Sequence, residues 1–187
     1  MPRKKICRAT GVWIDIKSHQ TDPGLRDFLV ETFKGTEDKW FDFGCGDASY
    51  AKALMETGVD FDCYDGSPLT PELTGGVGKL LNLTSDFDFE PRDWTLCLEV
   101  GEHVPKPFED KLVNNLVKHT KKGIILSWAV PGQRGSGHVN LQDNQYVRDV
   151  MASHDFHTDQ ELEDKLRASV SDYKYFTWTL MAFRRSG

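Results

Sequence analysis

Lys39-Trp-Phe-Asp-Phe-Gly-Cys-Gly-Asp-Ala48, followed after a helix-compatible segment by Val59-Asp-Phe-Asp-Cys-Tyr-Asp65, decides the fold of this chain. It spells strand, glycine turn, helix, strand and acidic end. Gly44 and Gly46 let the backbone turn tightly after an apolar strand, and they let a ligand lie against the main chain where a β-carbon would take its space. The helix behind the turn offers N–H groups to an anion. Asp65 closes the second strand about 20 residues after the glycines, where a carboxylate accepts both hydroxyl hydrogens of a ribose. The unit predicts a nucleoside-containing cofactor.

A dinucleotide fingerprint requires a third small residue three positions after its second glycine, for close helix packing around a pyrophosphate, and here that position is Ser49. Asp42-x-Gly44-x-Gly46-x-Ala48 instead resembles motif I of the class I S-adenosylmethionine (SAM) dependent methyltransferases, with Ala48 in place of the usual third glycine. Asp65 matches that family's ribose-binding acid, Asn82-Leu83 its adenine-contacting segment, and Leu98-Glu-Val-Gly-Glu-His103 its fourth-strand motif. The resemblance runs from Asp38 to Arg185. It implies SAM as cofactor, with Asp42, Gly44, Cys45, Gly46, Asp65, Gly66, Asn82, Leu83 and Glu99 binding it.

A chain of 187 residues is most economically one domain. With 39% hydrophobic and 28% charged residues its composition is that of an ordinary globular protein. No apolar run approaches the roughly 18 residues that span a bilayer, so no membrane partner is expected. Pro2-Arg-Lys-Lys5 leads into Ile-Cys-Arg-Ala and not into an apolar stretch, which does not support a secretory signal and makes a cytoplasmic location the default. Cys7, Cys45, Cys63 and Cys97 lack C-x-x-C spacing and read as buried free thiols. A net charge of −6 argues against an extended nucleic-acid surface, although Arg3, Lys4, Lys5, Arg8, Arg184 and Arg185 form small basic clusters. A small-molecule substrate and a monomer or homodimer are expected.

Along the chain, residues 1–20 show no period and read as an N-terminal arm of a single domain spanning 1–187. Thr21-Asp22-Pro23 starts a helix over 21–34 with Leu25, Phe28, Leu29 and Phe33 on one face. Strands are expected at Trp40–Phe43, from Val59, at Lys79–Leu83, Trp94–Glu99 and Gly123–Val130, near Phe156, and at Tyr175–Arg185. Helices are expected at Ala48–Thr57, Pro107–His119 (with Phe108, Leu112, Leu116 and Val117 inward), Asn144–Ser153 and Asp159–Ser169. Six glycines and prolines between Gly66 and Gly78 leave no room for a long helix after the second strand. Phe87 and Phe89 are expected to pin the acidic loop of residues 84–92 to the core. The alternation gives an α/β, Rossmann-like, doubly wound and mostly parallel sheet with helices on both faces. By resemblance it has seven strands, the last long one antiparallel and beside the fifth.

Ligands of such sheets bind outside the carboxyl ends of the strands, which here carry Gly44–Asp47, Asp65–Ser67, Glu99–His103 and Trp128–Asn140. Glu99-x-x-Glu102-His103 has two readings. In one, Glu99 meets the SAM amino group, Glu102 is solvated and His103 packs under the next helix. In the other, the motif and the later His138 resemble the metal-dependent 2′-O-methyltransferases of small-RNA ends and the O-methyltransferases of ubiquinone biosynthesis. That resemblance implies Glu99, Glu102, His103 and His138 as ligands of Mg, Mn or Zn. His103 and His138 are also the candidate catalytic bases. His19, Trp13 and Trp128 are lesser candidates for lining the pocket, and His119, His154 and His157 read as surface residues. The leading function is O-methylation of a small molecule. Methylation of an RNA end, a SAM-binding accessory role without catalysis, and an NAD or nucleotide-sugar enzyme are the alternatives.

Overall fold

The computed structural model describes residues 19–187. Strands β1 (Lys39–Phe43), β2 (Asp60–Asp65), β3 (Gly78–Leu80), β4 (Arg92–Leu98), β5 (Thr120–Ser127), β6 (Phe156–Thr158) and β7 (Leu180–Arg185) form one sheet in the order β3-β2-β1-β4-β5-β7-β6. β1 to β5 are parallel, and β7 runs antiparallel between β5 and β6, with Ile124 opposite Phe183. This is the sheet the alternating pattern and the resemblance imply.

The helices are α1 (Pro23–Phe33), α2 (Ser49–Met55), α3 (Thr70–Leu73), α4 (Glu109–Lys118), α5 (Asn144–Ala152), α6 (Gln160–Ser169) and α7 (Phe176–Thr179). Alternation along β1 sends Trp40 to one face, with Leu25, Leu29, Leu54 and Leu166, and sends Phe41 and Phe43 to the other, with Leu112, Leu116, Val147 and Met151. The first face is therefore covered by α1, α2 and α6, and the second by α4 and α5. Trp40 stacks on its neighbour Trp94 in β4, with ring centroids 5.2 Å apart. As expected, Cys45, Cys63 and Cys97 are buried free thiols; Cys7, Trp13 and the basic residues Arg3, Lys4, Lys5 and Arg8 lie outside the described residues. Among the described residues no helix is long and apolar enough to cross a membrane.

Several local expectations are corrected. The third strand stops at Leu80 instead of Leu83, because the Asn82 side chain accepts from Thr84 N at 3.0 Å and turns the chain. Phe108 falls in a 3-10 turn ahead of α4 and is 42% exposed, so it is not an inward residue; Val113 and Asn115 are buried in its place. Residues Phe176–Thr179 form a helical turn, not a strand, with Phe176 N and Thr179 N donating to Tyr173 O and Tyr175 O. The fifth strand ends at Ser127, where the chain leaves the sheet to form the site. His119 is fully buried and not a surface residue, whereas His157 is exposed and His154 half-buried. The loop of residues 84–92 covers His119: Phe87 stacks on its ring at 4.8 Å and Phe89 stacks on Tyr64 at 5.0 Å. Burial lowers the His119 pKa, and its Nδ1 donates to Asn115 O at 2.7 Å.

Asp22 joins the first helix to the far end of the chain. Its carboxylate caps α1 by accepting from Leu25 N at 2.9 Å, and it also accepts from the N–H groups of Ser171, Asp172 and Tyr173. Burial alone would raise its pKa, but these four donors together bring it down to about 2. A depressed folded-state pKa means that the stabilisation is complete above the ordinary value of 3.8 and is lost as pH falls toward 2. We expect Asp22→Asn to lower stability at neutral pH by about 1–3 kcal/mol, through loss of the cap and of charge-assisted hydrogen bonds. In urea unfolding of both proteins the gap narrows as pH drops from about 4 to about 2; a gap independent of pH contradicts this role.

Candidate active site

The carboxyl ends of β1, β2, β4 and β5 open on one cavity of about 320 Å³, at the point where strand order reverses between β1 and β4. Asp42, Gly44, Cys45, Asp65, Gly66, Asn82, Leu83 and Glu99 all line it, as do Glu102, His103 and His138. Gly46 stands just behind the wall, where its N–H donates to Asp65 Oδ2 at 3.0 Å. Separate loops therefore deliver the residues singled out in the sequence to one place.

The glycine turn owes its composition to the protein's own packing as well as to any ligand. Gly44 has φ +90°, and a β-carbon there would overlap Val100 Cγ2; Gly46 has φ +56°, and a β-carbon would overlap the His19 ring. His19 thus lines the cavity mouth. Asp65 is held by Gly46 N and, through Oδ1, by Ser67 N at 2.8 Å. Each carboxylate oxygen keeps acceptor capacity toward the cavity, which suits a pair of ribose hydroxyls. On the opposite side Asn115 of α4 donates to Leu83 O at 2.8 Å and Ser85 O at 2.9 Å, which fixes the wall that contains Asn82 and Leu83. Asn115 was hidden in the sequence, where it reads as one polar residue in an amphipathic helix.

Glu99 follows directly on β4 with φ +54°, a left-handed conformation that costs on the order of 1–3 kcal/mol for a residue with a side chain. Ser127 at the end of β5 holds it there: Glu99 N donates to Ser127 Oγ at 2.8 Å, and Ser127 Oγ donates to Glu99 Oε1 at 2.9 Å. Gln133 Nε2 donates to the other oxygen at 2.9 Å. Ser127 and Gln133 had no sequence signal apart from their place beside the strand end.

Glu102 is fully buried, and neither of its carboxylate oxygens has a hydrogen-bond partner. His103 Nε2 and His138 Nε2 each stand 3.9 Å from Glu102 Oε1. The ligand atoms of the three residues all lie within 4.8 Å of one another, and Glu99 is outside this group. His138 arrives because Val139 N and Asn140 N donate to Glu102 O at 2.8 and 3.0 Å, folding the loop of residues 131–140 back onto the motif. Asn140 is in turn held by Glu109 Oε2 and by Trp128 Nε1, both at 2.7 Å. Trp128 is thereby a core residue, 2% exposed, and does not line the pocket. A β-carbon on Gly135 would overlap the His138 ring.

Burial raises the Glu102 pKa well above the ordinary value, and the nearby Glu99 charge adds to it; burial raises Glu99 and Asp42 as well. Burial also lowers both imidazoles, His103 to about 4. His103 Nδ1 donates to Gly137 O at 3.2 Å, which turns Nε2 toward Glu102. A buried acidic side chain and two imidazoles, their ligand atoms all within 4.8 Å of one another, form a donor set that fits a divalent cation.

No family model and no curated protein sequence matches the chain. Solved structures do. The magnesium protoporphyrin IX methyltransferase ChlM of Synechocystis PCC 6803, with bound SAH, is 16% identical with a TM-score of 0.66, covering 90% of each chain. The sugar N-methyltransferase KedS8 of Streptoalloteichus sp ATCC 53650 is 12% identical with a TM-score of 0.63, over 87% of this chain and 85% of its own. The [4+2]-cyclase SpnF is 12% identical with a TM-score of 0.61, over 86% and 79%. With its strand order and the antiparallel β7, the chain has the class I SAM-dependent methyltransferase fold.

Proposed function

We propose that this protein transfers a methyl group from SAM to an oxygen of a small molecule, assisted by a divalent cation held by Glu102, His103 and His138. The observation that carries the transfer reading is Asp65, oriented by Gly46 N and Ser67 N at the end of β2, in one cavity with Asn82, Leu83 and Glu99. The SAH-bound relative ChlM supports a SAM-type ligand in this fold. A cyclase shares the fold, so the reaction is argued from the site and not from the architecture.

When bound, SAM supplies a methyl carbon that passes to the acceptor oxygen as its C–S bond breaks, and the cation lowers the pKa of an acceptor hydroxyl. The protein's part is mainly to orient. Asp65 binds the ribose hydroxyls, Asn82 and Leu83 border the base, and Asp42, Gly44, Cys45 and Gly66 form the floor under the amino-acid portion. Glu99, rigidly held by Ser127 and Gln133, accepts from its amino group. Glu102, His103 and His138 would hold the cation and with it the acceptor; without a cation, His103 or His138 would instead take the acceptor proton and pass it to solvent. Methyl transfer needs the oxygen in line with the S–CH₃ bond at about 3 Å, which a fixed set of walls achieves without further chemistry.

Calorimetric titration of chelator-treated protein tests the first half. SAM binds with a Kd on the order of micromolar, NAD does not bind, and Asp65→Asn weakens SAM about tenfold or more through loss of the charged acceptor. NAD binding without SAM binding overturns the reading. The second half is tested by titrating Mn²⁺ or Zn²⁺ into wild type and Glu102→Gln. Loss of the charged ligand lowers cation affinity by about 100-fold or more and leaves SAM affinity within about twofold; equal cation binding by both proteins removes the metal from the proposal.

A further inference from the structure

The loop that carries His138 also carries Arg134, and this residue has no part in the chemistry described so far. Arg134 lines the cavity and is the only lysine or arginine among its described lining residues. The other walls carry carboxylates: Asp42, Asp47, Asp65, Glu99 and Glu102. Elsewhere the described arginines are engaged. Arg26, Arg92, Arg148, Arg167 and Arg184 pair with carboxylates, and Arg185 donates to Val117 O and Thr120 O. The Arg134 guanidinium has no such partner among the described residues, in a chain of net charge −6.

Its backbone is fixed on both sides. Gln133 is tied to Glu99 through its side chain and to Val130 O through its N–H at 2.9 Å, and Gly135 packs against the His138 ring. Gly137 O then takes His103 Nδ1. Arg134 therefore stands one residue from a contact with the Glu99 carboxylate and one residue from a contact with His138. A planar fork of five N–H donors matches a carboxylate or a phosphate in a bidentate way. The carboxylates that line the rest of the cavity offer an anion no comparable fork of donors.

On these grounds we propose that the methyl acceptor bears an anionic group, a carboxylate or a phosphate, which Arg134 binds at the cavity mouth while the acceptor hydroxyl points inward to Glu102, His103 and His138. The proposal rests on the methyl-transfer reading above and deepens it to a substrate class: a hydroxylated small acid. The carboxylates of the wall act as its orienting complement, since Arg134 is the one described lysine or arginine in the lining.

The test uses the full chain loaded with the divalent cation, methyl-labelled SAM and a small-molecule extract of the source cells, with products separated on a strong anion exchanger at neutral pH. The expected result is label in the retained fraction, reduced about tenfold or more in Arg134→Gln and less in Arg134→Lys, with SAM affinity unchanged within about twofold in both. Phosphatase treatment of the retained product distinguishes the two sources: loss of retention identifies a phosphate and persistence a carboxylate. A labelled product distinct from unreacted SAM in the unretained fraction, or equal labelling by wild type and Arg134→Gln, overturns the anionic acceptor and leaves methyl transfer standing. No label with SAM binding intact overturns methyl transfer itself, and the acceptor class with it.

Discussion

Strand β1 has a neighbour on each edge and cover on each face, and the rest of the molecule is arranged around satisfying it. Its backbone groups are paired to β2 and β4, Trp40 is buried among the helices of one face, and Phe41 and Phe43 are buried among those of the other. A strand in that position has no solvent to fall back on, so its end must be released by a turn that exposes main chain without leaving polar groups unpaired. Gly44 N and Cys45 N donate to Tyr64 O, and Gly46 N donates to Asp65. The turn that ends β1 is therefore bonded to the end of β2, and the Asp65 carboxylate is placed by the same bonds that terminate the central strand.

The other half of the site is built on a different principle. β4 and β5 end side by side, and their continuations are held by side chains: Ser127 and Gln133 to Glu99, Glu109 and Trp128 to Asn140, and Asn140 N to Glu102 O. This network fixes two carboxylates and two imidazoles in a small volume at considerable electrostatic cost, since burial raises both acids and lowers both histidines. A positively charged occupant removes that cost, and one without charge does not. The half of the cavity at β1 and β2 thus depends on backbone geometry and the half at β4 and β5 on charged side chains.

That division explains what could be read from the amino-acid sequence. The strand-turn-strand unit and Asp65 follow from residue order, because local pairing and a parallel topology determine where they end up, whereas Asn82-Leu83 and Glu99 were singled out through the family resemblance. His138 was reachable only through resemblance to a metal-site pattern, since nothing local shows that the loop of residues 131–140 folds back onto Glu102. Asn115 and Gln133 were not legible, being single polar residues whose partners are 30 to 34 positions away. His119 was misread as exposed because its cover, Phe87, comes from a loop with no secondary structure of its own. Residues 176–179 looked like strand because aromatic and β-branched residues favour it, but the link from α6 back to the sheet needs a turn there.

The insertion of β7 between β5 and β6 also has a consequence for how the chain reaches this state. β5 is made long before β7, and its partner residues are far apart in sequence, as with Ile124 and Phe183. During synthesis the outer edge of β5, with its run of Ile124, Ile125 and Leu126, stays open until Leu180–Arg185 emerges. An unpaired apolar edge is a template for pairing with other chains, and its long-range closure is slow. The molecule is therefore most vulnerable to association in the interval between completing five parallel strands and adding the last one, and chaperone demand should be concentrated there.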